Sequence, residues 1–237
     1  MQPATTAPQT VMMNAIEPMR MEVDLLRHIP VLGRRFVRAD CAALRSAHPK
    51  RTQFRYSGGM RQTLKMHPES RCAAVTRLEA DVARPSAGGL VLSYLVTGRI
   101  GDLRLPPAAA AARTDELWRH TCFEAFVRSS SGAVYYEFNF APSTQWAAYR
   151  FNGYRSGMCA ATEIGAPRID VQSSPASYRL QAALDLAQMA SLPGTAWQIG
   201  LAAVIEETNG DQSYWALAHP PGKEDFHHAD GFALQVT

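Results

Sequence analysis

From Met60 onward the chain alternates apolar and polar residues with a period of two. Leu78, Ala80 and Val82 fall in one register with Thr76, while Val75, Arg77, Glu79 and Asp81 fall in the other. After Gly88-Gly89 a second run places Leu90, Leu92, Tyr94 and Val96 on one face. Successive side chains of a strand point to opposite faces, so this period predicts strands. Further runs rich in β-branched and aromatic residues occur at 121–127, 133–140, 145–151, 178–184, 197–206, 213–217 and 232–236. Ser131-Gly132, Asn152-Gly153, Pro193-Gly194 and Asn209-Gly210 separate them, and the last predicts a two-residue hairpin. Only 185–191 is expected to be helical, for about two turns. Many short strands with one apolar face each need a second sheet as cover. The expected fold is all-β: a two-sheet antiparallel β-sandwich, jelly-roll-like.

Residues 1–59 lack this alternation. Prolines stand at 3, 8, 18, 30 and 49, and weak helical spacing (Ile16, Met19, Val23, Leu26) is interrupted by Pro30 and Gly33. A short helix without a packing surface is marginal. The segment 1–59 is expected to be mostly unstructured, a dispensable extension or an over-extended reading frame, with 60–237 as the folded ligand-binding domain. Of 24 basic and 21 acidic residues, nine and four fall within 1–59, leaving 15 and 17 for the rest. The net charge of +3 therefore arises in the first quarter, and the domain has no basic stripe of the kind phosphate neutralisation requires. Nucleic acid is not an expected partner, and an arm through Arg34, Arg35, Arg38, Lys50, Arg51 and Arg55 is the lesser reading. At 46% apolar and 19% charged the composition is globular. No apolar run reaches the ~18 residues of a membrane helix, and the start of the chain does not read as a secretory signal. The expectation is a cytoplasmic protein without membrane association.

The four cysteines (41, 72, 122, 159) form no CxxC pair and have no histidine at zinc spacing. There is no GxSxG elbow, P-loop or GxGxxG. Chemistry concentrates in Asp115–Glu124. Continued as a strand, it places Trp118, His120, Cys122, Glu124 and Phe126 on one face. Glu137, Asn139, Trp146 and Arg150 follow on neighbouring strands. Indole beside carboxylate and guanidinium suits a sugar, whose apolar face stacks on the ring while charged groups bind the hydroxyls. The same residues also fit a packed core with a buried Glu124–Arg150 ion pair. His219, His227, His228 and Asp230 are candidates for a metal, Met158 with a histidine for haem, and Glu124 with Glu137 or Glu206 for a hydrolytic carboxylate pair.

The segments 117–126, 136–140, 146–150 and 214–232 together resemble the bacterial DOMON-like domain proteins, which are similar to family-nine carbohydrate-binding modules. The resemblance spans about Met60 to the C-terminus. It implies a β-sandwich that binds a ligand and catalyses nothing, without a cofactor. In the carbohydrate modules two tryptophans sandwich a terminal sugar, one of them six residues before a binding glutamate. Trp118 and Glu124 match that spacing, Trp215 sits where the second tryptophan is expected, and Arg150 takes the place of a sugar-binding arginine. The chain departs from the modules at Arg119-His120-Thr121, where they carry an acidic pair. The ligand-binding set implied is Trp118, His120, Glu124, Arg150, Trp215 and His219, with a sugar or sugar derivative as ligand. DOMON-type haem binding through Met and His is the alternative.

Overall fold

The computed structural model describes residues 59–192 and 196–237. The expected unstructured or dispensable extension, and the basic arm within it, lie outside the described residues. Among the latter no helix is long and apolar enough to cross a membrane.

The described chain is all β. Its strands are β1 (Met60–Met66), β2 (Val75–Ala83), β3 (Gly89–Gly98), β4 (Cys122–Ser129), β5 (Tyr135–Phe140), β6 (Trp146–Phe151), β7 (Cys159–Ala160), β8 (Arg168–Ser173), β9 (Ser177–Asp185), β10 (Trp197–Glu206), β11 (Gln212–Ala216) and β12 (Leu234–Val236). The order is β7-β6-β5-β4-β10-β11-β1-β2-β3-β9-β8, with β12 beside β10, and every named pair is antiparallel. β1 is the hinge of the fold. Its first five residues pair with β2, and Lys65 and Met66 pair with β11. One continuous ladder thereby becomes two facing layers, a β-sandwich, here called sheet A (β1, β2, β3, β9, β8) and sheet B (β7, β6, β5, β4, β10, β11, β12).

The apolar registers meet between the layers. Leu78, Ala80, Val82, Leu90, Leu92, Tyr94, Val96 and Leu180 from sheet A join Phe123, Ala125, Val127, Phe138, Phe140, Ile199, Leu201 and Ile205 from sheet B in one buried cluster. The Tyr94 hydroxyl spans the gap and donates to the Glu124 carbonyl at 2.7 Å. The predicted Asn209-Gly210 hairpin is present with a three-residue loop. Glu207 and Asp211 still pair, and Gly210 takes φ +93, the left-handed residue that closes a three-residue turn. The helix expected at 185–191 is not formed. Two successive turns, Met189 N to Leu186 O and Leu192 N to Met189 O, bury Leu186, Met189 and Leu192 instead. Seven residues give too few internal bonds to hold a helix when tight turns bury the same side chains.

The outer faces differ, and this locates the site. Sheet A alternates normally, with Arg77, Glu79, Asp81, Arg179 and Gln181 outside. Sheet B is buried on both sides: all of β5 and nearly all of β4 are shielded. Its outer face carries a second apolar cluster, Phe126, Tyr135, Ala147, Tyr149, Phe151, Ala202, Ala216 and Phe232. A sheet covered twice has something folded over it. Here that cover is the segments 113–121, 152–158 and 218–231, and the cleft lies between them.

Candidate functional site

The cleft on the outer face of sheet B has a volume of about 550 Å³, within the range of small-molecule sites. Its floor comes from strand alternation. In β4, Phe123, Ala125 and Val127 enter the inter-sheet core, so Cys122, Glu124 and Phe126 face the cleft side. In β5 the same parity turns Glu137 and Asn139 outward. Glu124 pairs with Asn139 and Phe126 with Glu137, which makes the two glutamates diagonal neighbours, roughly 7 Å apart at the backbone.

Both carboxyls are buried, Glu124 to 3% exposure and Glu137 to 5%. Cys122 Sγ lies 3.6 Å from Asn139 Oδ1, which turns the Asn139 amide to donate to Glu137 Oε1 at 2.6 Å. Burial pushes the Cys122 thiol well up and so keeps its proton in place. His227 Nε2 stands 3.7 Å from Glu137 Oε2, while its Nδ1 is 2.8 Å from the Tyr135 hydroxyl. Burial raises Glu137 to about 7, with the Asn139 bond and the Arg155 charge pulling back. Glu124 is raised well above the ordinary range, first by burial and then by Glu137. Its Oε1 is shielded from water and has no hydrogen-bond partner. His227 is held down to about 4, first by burial and then by Arg155, so it stays neutral.

The walls are aromatic. Trp118 rides on a 3-10 turn, Leu117–Arg119, whose N-cap Glu116 adopts φ +61, a conformation non-glycine residues seldom take. The turn is tied to sheet B by Gln212 Nε2 donating to Arg119 O at 2.7 Å, and by the Trp118 edge against Tyr149 at 5.8 Å. The opposite wall is Tyr214 of β11 with Phe226, ring centroids 6.1 Å apart. Arg155 (φ +49) closes one end; its guanidinium is held by Asp225 Oδ1 at 2.8 Å, and Asp225 also accepts from Tyr154 and from the His227 amide. Two of the three non-glycine residues with positive φ among the described residues, Glu116 and Arg155, thus sit on the segments that line the cleft. Backbone held off its preferred regions clusters at such sites.

The sequence-predicted set divides. Trp118 and Glu124 line the cleft. Trp215 does not: it faces the inter-sheet core, 7% exposed, with Nε1 donating to Ser213 Oγ. The predicted Trp118–Trp215 clamp is not formed: neighbouring strand residues point opposite ways, so Tyr214 and not Trp215 lines the cleft together with Trp118. Arg150 is likewise on the far side, sharing the parity of Trp146 and Ala148, which enter the core. It therefore forms no ion pair with Glu124. His120 is not on the strand face; its Nδ1 meets Glu206 Oε2 at 2.8 Å, and Arg104 donates to the other oxygen at 2.6 Å. Burial alone would raise Glu206, but these two bonds outweigh it and hold the carboxyl below its usual range. Glu206 is thereby satisfied, which leaves Glu137 as the carboxyl beside Glu124. His219 bonds the Lys65 carbonyl through Nε2 and stacks edge-on with His67. His228 accepts from the Asp230 amide. His219, His227, His228 and Asp230 do not converge, and among the described residues no three His, Cys, Asp or Glu side chains are placed to hold a metal ion. Tyr214, Phe151 and Arg155 were not predicted. The alternation that condemns Trp215 would have favoured Tyr214, but only once the buried face of β11 was known.

No family model matches the chain, and no curated protein matches it in sequence. Three solved structures are similar in shape. A proposed carbohydrate-binding protein from Bacteroides uniformis superposes with a TM-score of 0.52 at 14% identity, over 73% of this chain and 84% of its own. A family 9 carbohydrate-binding module from Caldicellulosiruptor kristjanssonii, solved with cellotriose, gives a TM-score of 0.42 at 12% identity, over 69% and 75%. The same organism's family 9 module with glucose gives 0.36 at 12%, over 67% and 76%. What the likeness to the Bacteroides protein establishes is a common β-sandwich fold.

Proposed function

We propose that the chain is a carbohydrate-binding module whose site is the outer cleft of sheet B. The observation that carries this reading is the pairing of half-buried aromatic walls, Trp118, Tyr214 and Phe226, with two buried carboxyls, Glu137 and Glu124, the latter with an Oε1 that has no partner. A pyranose offers apolar C–H faces to such rings and hydroxyl donors to such carboxyls. The Bacteroides protein of the same fold is described as carbohydrate-binding, which agrees. The DOMON-like resemblance belongs to the same proposal, as does a non-catalytic role. Binding without chemistry leaves modest affinity, since only the surplus over ordering and desolvation registers.

Calorimetric titration with mono- and oligosaccharides tests this. Trp118→Ala and Tyr214→Ala each lower affinity by about tenfold, the size of one lost ring contact. Heats that are absent throughout, or unchanged in both variants, would reject it. The buried pair Glu124–Glu137 supports one competing reading, a glycoside hydrolase with two unlike carboxyls. Release of reducing ends from a bound oligosaccharide, lost in Glu124→Gln, would establish that reading in place of binding alone.

A further inference from the structure

The charges around the cleft do not balance. Two cations line it, and both are committed to partners at the rim: Arg119 donates to Glu116 at 2.8 Å and Arg155 to Asp225 at 2.8 Å. Among the described residues no lysine or arginine forms an ion pair with Glu124 or Glu137 on the floor, and the Arg155 charge reaches Glu137 only from a distance. Glu124 Oε1 is buried and unpartnered, and it belongs to a side chain that lines the cleft. Glu224 adds a third carboxyl at the mouth. A buried acceptor without a donor is expensive to keep, and two adjacent carboxylates cannot both ionise without a counter-charge. A neutral hydroxyl supplies a donor but no charge. An ammonium group supplies both. The surrounding rings favour a cation further, because their faces are electron-rich.

Resting on the carbohydrate reading, we propose that the ligand is an amino sugar, or a glycoconjugate with a free primary amine. Its ammonium seats between Glu124 and Glu137, and its ring lies against Trp118 and Tyr214. The two carboxyls have different parts. Glu137 receives the Asn139 amide and faces the His227 ring, both of which suit an anion. Glu124 has neither, so in the empty cleft it holds the proton. Seating the ammonium ionises the pair, and a proton leaves to solvent. The other titratable groups facing the pair keep their charge near neutral pH. Burial holds the Cys122 thiol and the Tyr135, Tyr149 and Tyr214 phenols up, and the His227 ring down; Asp225 is held ionised against Tyr154 and Arg155.

The test is isothermal titration of the full chain with glucosamine, N-acetylglucosamine and glucose, which differ only at one substituent. Near pH 7, where free glucosamine is mostly an ammonium, it is expected to bind at least about tenfold tighter than either. Its heat should change with the ionisation enthalpy of the buffer, which reports the released proton, and its advantage should vanish near pH 5, where the pair retains its protons. Glu124→Gln should bring the ratio of glucosamine to N-acetylglucosamine affinity down to about one, whatever it does to either affinity alone, and Glu137→Gln repeats the comparison should the first variant not fold. If glucose or N-acetylglucosamine binds as tightly as glucosamine and Trp118→Ala weakens all three, the amine is refuted and the carbohydrate site stands. If none of the three binds, nor any oligosaccharide, the carbohydrate reading falls and takes the amine with it. Tight glucosamine binding without buffer-dependent heat would also overturn the proposal, since the carboxyl pair would not be its seat.

Discussion

Glu137→Gln should stabilise the protein, and only at neutral to alkaline pH. The side chain is 5% exposed, and burial lifts its pKa from 4.5 to about 7. Below pH 4.5 the carboxyl is protonated whether the chain is folded or not, so it contributes nothing to the pH dependence. Between 4.5 and 7 the unfolded chain ionises while the folded chain keeps the proton, and stability falls as pH rises. Above about 7 the loss is complete. The shift corresponds to at most about 3 kcal/mol, at ~1.4 kcal/mol per unit. Glutamine keeps the shape and can still accept from Asn139, but it does not titrate. His227 contributes the opposite slope: held at about 4 against 6.5 unfolded, its stabilisation is full above 6.5 and is lost as pH falls. Both proteins carry that term, so it cancels in their difference. Urea denaturation near pH 4 and near pH 8 measures the effect, with m-values unchanged. The variant should match the parent at the lower pH and exceed it by up to about 3 kcal/mol at the higher. Parallel pH profiles, or a variant less stable than the parent near pH 8, would mean that Glu137 carries a compensated charge, and the electrostatic account of the floor would fail.

The corrected tryptophan separates packing from binding. Trp215→Ala should lower stability by about 3–5 kcal/mol by chemical denaturation, as truncation of a core aromatic does. Ligand affinity of the folded fraction should stay within about twofold, whereas Tyr214→Ala one position earlier should show the reverse, a small loss of stability and a large loss of binding. Gly98→Ala should depress the melting temperature by several degrees, because φ is +153 and a Cβ there would sit 2.0 Å from the Ala74 carbonyl oxygen. Asp225→Asn should free Arg155, loosen the end of the cleft and weaken binding without reducing core stability, a split visible by calorimetry beside thermal melts.

The fold was readable where one face of a strand is apolar and the other polar. Sheet A obeys that rule: Leu78, Ala80 and Val82 are core, and Arg77, Glu79 and Asp81 are outside. Sheet B does not, because loops cover its second face, and that is where the readings of single residues failed. β10 and β11 carry apolar side chains on both sides, so alternation there separates Tyr214 from Trp215 without saying which faces the core. The alternation of Trp118, His120, Cys122 and Glu124 reads as one strand face, but the strand begins at Cys122 and the indole arrives on a 3-10 turn through a left-handed Glu116. Arg150 shares the parity of Trp146, and that parity removes both from the cleft. The pairing of Glu124 with Glu137 depends on a cross-strand register and became visible only with the ladder. The part played by His227 depends on a long excursion after β11 that folds back over sheet B, for which the sequence offers no periodic signal.

Trp118 provides the most direct measurement. Trp146, Trp197 and Trp215 are 4%, 1% and 7% exposed, so Trp118 alone of the four meets solvent, at the mouth of the cleft. Acrylamide should therefore quench a single tryptophan class in the free protein. A carbohydrate in the cleft should protect that class saturably, and Trp118→Phe should abolish both the quenching and the protection. If no sugar protects it at tens of millimolar, or if protection survives in Trp118→Phe, the outer cleft of sheet B is not where this protein holds a carbohydrate.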